Sequence, residues 1–217
     1  RFTLGIGLSH KIVIEDMLGL SYEHPAAYMR DYLGALLTLV EGKESCYIGD
    51  IFKIRDLKLD IPQGDKMSLV LAALGPKMLE IAGTLTDGTS TWMTGPKTLE
   101  SYVIKAIQAA ASKSGRPSPR IISGFPIVLT NNVEESKKKL ESGLGFYGKL
   151  PSYRAMLDRE GVDGPVDLAL IGDERKLRQK IEEIRSCGVT DFNAAIMNTE
   201  DGAFQRTFDF LKSLISS

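Results

Sequence analysis

Apolar positions in this chain follow two periods: short runs with no polar break, and longer stretches in which they recur every three or four residues. Leu69-Val70-Leu71-Ala72-Ala73-Leu74 is the clearest short run and predicts a strand buried on both faces. Gly75-Pro76 ends it, and Pro76 suits the first turn of a helix, where its missing N–H would be unpaired in any case. Met78, Leu79, Ala82 and Leu85 then recur at helical spacing until Asp87-Gly88 turns the chain into a second strand, Thr89–Met93. That strand ends in Thr94-Gly95-Pro96-Lys97. The next helix is marked by Leu99, Tyr102, Val103, Ala106, Ile107 and Ala110 and stopped at Ser114-Gly115-Arg116-Pro117.

The same alternation extends in both directions. Phe2–Gly7 reads as a short buried strand whose glycines allow close approach to its backbone. A long connection with Tyr22 and His24, a possible lid, leads to a helix from Pro25 with Met29, Leu33, Leu36, Leu37 and Val40 on its apolar stripe, ended by Glu41-Gly42-Lys43. Ser45–Ile61 has the alternation of a hairpin about Gly49-Asp50, and Pro62-Gln63-Gly64-Asp65 is a loop. Arg120–Leu129 is a further strand in which Pro126 marks an irregular or edge segment. Asn132 and Glu135 stand in capping-box relation before a charged helix around Ser136–Leu140. A short helix is expected at Pro151–Glu160, and Asp173 is an N-cap candidate for a helix carrying Leu177, Ile181 and Ile184. Gly188 stops that helix, Asp191–Met197 is the last strand, and Phe204, Phe208, Leu211 and Leu214 line a closing helix.

Five strands alternating with helices predict an α/β fold with a parallel sheet wound right-handedly. The 217 residues suit one domain, 1–217, but fall short of the roughly 250 of a (β/α)8 barrel. About three strand–helix units of such a barrel have no counterpart, and the chain starts at Arg1 directly before a strand. Lys and Arg (27) balance Asp and Glu (28), so no global charge points to nucleic acid or an anionic membrane. The run Lys137-Lys138-Lys139 lacks the aromatic interleaving of a nucleic-acid surface and reads as a charged helix face. No apolar run is long enough to span a bilayer, and isolated Cys46 and Cys187 read as free thiols of a cytoplasmic protein.

The candidate chemistry gathers at strand ends. Gly75 and Gly95 each open a helix at the same end of the sheet, and helix N-termini with free N–H groups favour an anion, so together they form a candidate phosphate cradle to which Lys97 adds charge. Ordinary loop punctuation is the rival reading. Gly5 and Gly7 could start a dinucleotide fingerprint, but its third glycine position holds His10, which excludes that motif. His10, just past the first strand, suits proton transfer near neutral pH; the alternative is a loop histidine bonded to backbone. Glu15-Asp16 has no further ligands spaced around it, so a solvated pair is expected and no metal site.

Several spaced segments resemble the bacterial luciferase-like monooxygenase superfamily: Arg1-Phe2-Thr3-Leu4-Gly5-Ile6-Gly7, Ala72–Gly83 (AALGPKMLEIAG), Asp87-Gly88, Ile171-Gly172-Asp173-Glu174 and Cys187–Phe192 (CGVTDF). Thr91–Lys97 (TWMTGPK) is similar to its branch dependent on the deazaflavin coenzyme F420. The resemblance implies a TIM barrel with cofactor and substrate at the C-terminal strand ends. Phe2–Gly7 would be its fourth strand, so the chain would be a fragment lacking the N-terminal third, or a natural short form. It also implies that Leu74 and Gly75 meet the cofactor phosphate, that Thr94, Gly95 and Lys97 complete that site, and that Ser9 and His10 lie near the redox ring. Trp92 and Met93 would wall the ring pocket, with core packing as the rival role, and Lys77 would join Lys97 beside a polyglutamate tail. The implied activity is hydride transfer between F420 and a small organic substrate, in a homodimer. The alternatives are an FMN-dependent monooxygenase using oxygen and a non-catalytic flavin-binding short barrel.

Overall fold

The computed structural model describes residues 2–40, 45–59 and 67–215; the expected helix stop at Glu41-Gly42-Lys43 and the loop Pro62-Gln63-Gly64-Asp65 lie outside them. Six parallel strands form one sheet: β1 (Thr3–Ile6), β4 (Ser68–Ala72), β5 (Gly88–Trp92), β6 (Arg120–Leu129), β7 (Leu170–Gly172) and β8 (Asp191–Ile196). The order is β1-β4-β5-β6, with both β7 and β8 pairing with β6. Helices α1 (Pro25–Val40), α2 (Pro76–Leu85), α4 (Lys105–Lys113), α5 (Val133–Leu144), α6 (Pro151–Glu160), α7 (Glu174–Ser186) and α8 (Ala203–Ile215) follow the strands. A short α3 (Pro96–Thr98) runs into a π-helical segment, Leu99–Ile104, and on into α4. The strands β2 (Ser45–Ile48) and β3 (Lys53–Leu57) make the expected antiparallel hairpin. It is moored to α1 by Asp31, whose carboxylate accepts from the Tyr47 hydroxyl (2.6 Å) and the Ile51 and Phe52 N–H groups (2.7 and 2.8 Å).

The two faces of the sheet differ sharply. Leu69, Leu71, Ile121, Phe125 and Ile127 point to the helices and pack with Leu33, Leu79, Ile81, Leu99 and Ile107 in one core. Gly83 lets α2 and α4 meet closely, since a Cβ there would lie 2.6 Å from the Ile107 carbonyl oxygen. Parallel register aligns Thr3 with Ser68, Gly5 with Val70, Ala72 with Ser90, Trp92 with Gly124, and Gly124 with Asn193 on the other face. On that second face Gly5, Gly7, Ala72 and Asn193 are exposed, Val70 and Ile122 stand among the small residues, and Val128 at its C-terminal end is buried in a second core. The expectation that the first strand is buried is not met: Leu4 and Ile6 on its helix side are half-buried against the core, and Gly5 on the other side is exposed.

This face is concave, and Arg120 shows it. Its Nη1 donates to Thr3 Oγ1 of β1 (3.0 Å) and Ser68 Oγ of β4 (3.3 Å), while Nε and Nη2 donate to the Asp191 carboxylate of β8 (3.3 and 2.6 Å). In a flat sheet β1 would stand about 14 Å from β6, three strand spacings away, beyond the reach of a guanidinium. The sheet must curl to bring both edges to one side chain. Asp87-Gly88 is structural in the same way: the Asp87 carboxylate accepts from the Leu69 N–H (2.9 Å) and from Arg116 (3.2 Å).

Three sequence expectations are corrected. The sheet has a sixth strand, β7, whose three residues give too short a run to separate from the loop before Asp173. Pro126 does not mark an edge, because β6 has neighbours on both sides. Even-numbered residues of β6 bond towards β5 and β7, as the Met93 N–H to Gly124 and Thr130 N–H to Gly172 bonds show. Pairing with β5 stops at Gly124 and pairing with β7 starts at Ile127, so the absent N–H of Pro126 falls in the gap. No capping box forms at α5: the Asn132 amide donates to Glu200, and Glu135 pairs with Lys139 at 2.8 Å. Asp173 does cap α7, accepting from the Lys176 N–H at 2.8 Å.

Replacing Arg120 by Met is expected to destabilise the chain by about 1–2 kcal/mol, the low end for bonds to charged groups because both partners are about one-third exposed. Denaturant unfolding at pH 7 measures this. The bond from Arg120 holds the Asp191 carboxyl below its ordinary value of 3.8. A depressed carboxylate contributes stability above its unfolded value and loses it as pH falls through the folded one. Wild type should thus lose more stability than the Met variant on acidification below about pH 4.

Candidate functional site

The C-terminal ends of the strands carry the expected residues, and the excursion between β6 and β7 adds others. Past β1 the chain turns at Ser9, whose φ of +60° lies in the left-handed region. It then forms a π-helical turn, Ile12–Met17, within the long connection that the sequence offers as a lid. This strap is closed by Tyr22, whose hydroxyl donates to the Ser9 carbonyl (3.3 Å) and whose N–H donates to Glu15 (3.3 Å). Glu15 also pairs with Lys11 at 3.5 Å, so both of its oxygens are engaged within the strap. His24, with φ +51°, stands before α1.

His10 leaves the strap and meets an aromatic wall. Its ring lies edge-on to Tyr153 (centroids 5.7 Å apart) and to Tyr147 (6.2 Å), and those two tyrosines pack at 4.9 Å. Trp92, at the end of β5, approaches Tyr147 at 6.5 Å. Burial holds the His10 imidazole below the ordinary histidine value and pushes the Tyr153 hydroxyl up to about 12, with Tyr147 adding to the latter. Burial thus favours the neutral imidazole, the form that can accept or relay a proton. Sequence reasoning missed both tyrosines. Tyr147 sits in a 3-10 turn, Gly145–Lys149, and Tyr153 in α6, and no local pattern ties either to a residue so far back in the chain.

Trp92 packs over Gly124, where a Cβ would lie 2.8 Å from its ring. Its Nε1 is buried and, among the described residues, the one buried side-chain nitrogen or oxygen without a hydrogen-bond partner. Met93 takes φ +46° at the turn and has the rival role, core packing: it is fully buried in a second cluster with Val128, Leu140, Leu157 and Ile171, against which Trp92 also packs.

The two helix-opening glycines differ. At Gly75 the backbone is extended (φ −81°, ψ 158°), Pro76 starts α2, Leu74 beside it is half-buried, and a Cβ would meet nothing within 4 Å. Lys77 in the first turn is exposed. This helix start is open. Gly95 is buried beneath Glu160, whose carboxylate a Cβ would strike. That carboxylate accepts from the Lys97 N–H (3.2 Å) and Thr98 N–H (2.7 Å). Thr94 is buried, its hydroxyl 3.4 Å from the Trp92 carbonyl, while the Lys97 side chain is exposed. The donors expected to cradle a phosphate at this second loop thus hold an internal anion. A phosphate-bearing, planar cofactor fits the remaining features: an open helix start with a nearby lysine, exposed glycines on the concave face, and an aromatic wall beside it.

Comparison with known proteins agrees with this architecture. A family profile described as luciferase-like monooxygenase matches residues 1–191. The chain is 33% identical over 173 residues to a 5,10-methylenetetrahydromethanopterin reductase of Methanolobus tindarius, covering 79% of this chain and 52% of that one. It is 35% identical over 116 residues to the enzyme of that name from Archaeoglobus fulgidus, covering 54% of this chain and 34% of that one. The chain thus spans about half or less of the curated relatives it matches. Among solved structures, an F420-dependent secondary alcohol dehydrogenase in complex with an F420–acetone adduct superposes with a TM-score of 0.81 at 16% identity, over 98% of this chain and 68% of that one. The coenzyme F420-dependent tetrahydromethanopterin reductase of Methanopyrus kandleri gives 0.74 at 20%, over 89% and 67%. These likenesses are of fold: a parallel sheet curled as a TIM-barrel wall. With the profile running through nearly every element that builds the sheet, this chain belongs to the luciferase-like monooxygenase family.

Proposed function

We propose that this chain forms the cofactor side of an F420-dependent oxidoreductase that transfers a hydride to or from a small organic substrate. The observation that carries the reading is the concave face itself. Gly5, Gly7, Ala72 and Asn193 are exposed on it, it ends at the open helix start of Gly75, and His10, whose imidazole burial holds below the ordinary value, stands beside it. The identity with methylenetetrahydromethanopterin reductases supports F420 over FMN, because the solved reductase of that class is described as F420-dependent.

In this reading the Leu74-Gly75 loop and the first-turn N–H groups of α2 hold the phosphate, with Lys77 contributing charge. Trp92, packed over Gly124 at the end of β5, would flank the ring system. The cofactor, when bound, supplies the hydride chemistry. His10 supplies or accepts the proton at its imidazole nitrogen, and Tyr147 and Tyr153 exclude water from it. Gly5 and Gly7 keep the floor low enough for a ring and substrate to stack above it.

Two substitutions test this assignment. Gly75→Asp fits sterically and places a favoured N-cap at α2, so the melting temperature should hold or rise. The new carboxylate would occupy the phosphate donors, and F420 affinity measured by fluorescence titration should fall at least roughly tenfold, or about 1.4 kcal/mol. Unchanged affinity would remove the loop from the site. His10→Phe keeps an aromatic ring against Tyr153 and should leave cofactor affinity within a few-fold. Hydride transfer, followed as the change in F420 absorbance, should slow by about 10²–10⁴; an unchanged rate would deny His10 its role.

A further inference from the structure

The excursion that supplies the aromatic wall is held at its far end by one residue. Helix α6 enters from the 3-10 turn carrying Tyr147 and leaves at Gly161, whose φ of +83° ends it. Tyr153 and Glu160 are seven residues apart, two turns on one face, about 10 Å along the axis. A carboxylate at the C-terminal end of its own helix is electrostatically disfavoured. Glu160 is nonetheless placed there, with both oxygens accepting from the Lys97 and Thr98 N–H groups at the start of α3. Two neighbouring contacts grip the same element: the Thr98 hydroxyl lies 3.4 Å from the Met156 carbonyl, and the Arg159 guanidinium sits over the Tyr102 ring at 4.2 Å. Gly95 completes the fit by leaving room for the carboxylate.

We propose that Glu160 is a positioning residue for His10: by tying the end of α6 to the β5–α3 loop it fixes Tyr153 and Tyr147 against the imidazole. The catalytic consequence rests on the function proposed above, whereas the positioning itself does not. The titratable and charged side chains on the elements about His10 are Lys11, Glu15, Asp16, Tyr22, Glu23 and His24 on the strap, and Tyr147, Lys149, Tyr153, Arg154, Asp158, Arg159 and Glu160 on the 3-10 turn and α6. Lys11 and Glu15 pair with each other, and it is burial rather than a neighbouring charge that sets the imidazole's state. Loosening the tie exposes the ring and should raise its pKa towards the ordinary value of about 6.5.

The chain has two histidines, so its imidazole proton spectrum contains two spin systems, assigned with a His24→Gln variant. In the cofactor-free protein, Glu160→Ala should move the His10 titration up towards that of a free histidine and reduce the ring-current shift of its protons, with His24 unmoved. Gly95→Ala, whose methyl group evicts the carboxylate without removing it, should do the same, and the double variant should add little more. Glu160→Gln should fall between wild type and Glu160→Ala. Should Glu160→Ala not fold, Gly95→Ala and Glu160→Gln decide the matter. A His10 titration identical to wild type in the folded variants overturns the proposal. F420 plays no part in this readout, so wild-type protein failing to bind F420 would sink the functional reading and leave the positioning role standing.

Discussion

Everything this chain presents to a ligand depends on the curl of its sheet, and the curl is visible in one side chain. Arg120 starts the long strand β6 and bonds both to β1 and β4 on one side and to Asp191 of β8 on the other. A guanidinium can satisfy partners on both outer strands only if the sheet wraps around it. Its planar fork matches the Asp191 carboxylate while leaving Nη1 for the two hydroxyls, a division that a lysine point charge could not reproduce. Polar residues at the strand starts thereby set the shape of the face whose other end holds the candidate site.

The curl separates two kinds of packing. Outside, branched and aromatic side chains interlock with α1, α2, α4 and α7 in one continuous core. Inside, exposed Gly5, Gly7 and Ala72 lie along β1 and β4, beside the larger Val70, Trp92 and Ile122. A smaller second core at the C-terminal ends, built from Met93, Val128, Leu140, Leu157 and Ile171, seats the excursion between β6 and β7. That excursion brings Tyr147 and Tyr153 to His10. Trp92 and Met93, adjacent in sequence, both pack on that second core, Met93 fully buried within it and Trp92 half-buried at its margin.

Much of this was legible in the chain. Unbroken apolar runs predicted the longer parallel strands, and glycine, proline and Asp173 marked the helix starts because their backbone chemistry permits little else there. The family motifs were legible too, although two of their members, Gly83 and Gly88, turn out to serve packing. What escaped were features fixed by tertiary partners. β7 is too short to carry a period, and Pro126 fell where no ladder bond was needed. The second phosphate loop read correctly as a helix start, but nothing local announced that Glu160, 65 residues beyond Gly95 in the numbering, would take its N–H groups. The wall around His10 escaped for the same reason. Residues brought together by a crossover leave no periodic trace, and aromatic residues in a glycine-bearing connection look alike whether they pack on one another or on a histidine.

The central claim is that the concave face and the open Gly75 loop form a site for a deazaflavin bearing a phosphate. The most direct measurement is a pair of equilibrium titrations of this chain with F420 and with FMN under identical salt and pH. The account predicts saturable, one-to-one F420 binding that is clearly tighter than FMN binding and weakened by added inorganic phosphate. Preferential FMN binding, or F420 binding indifferent to phosphate, would contradict it.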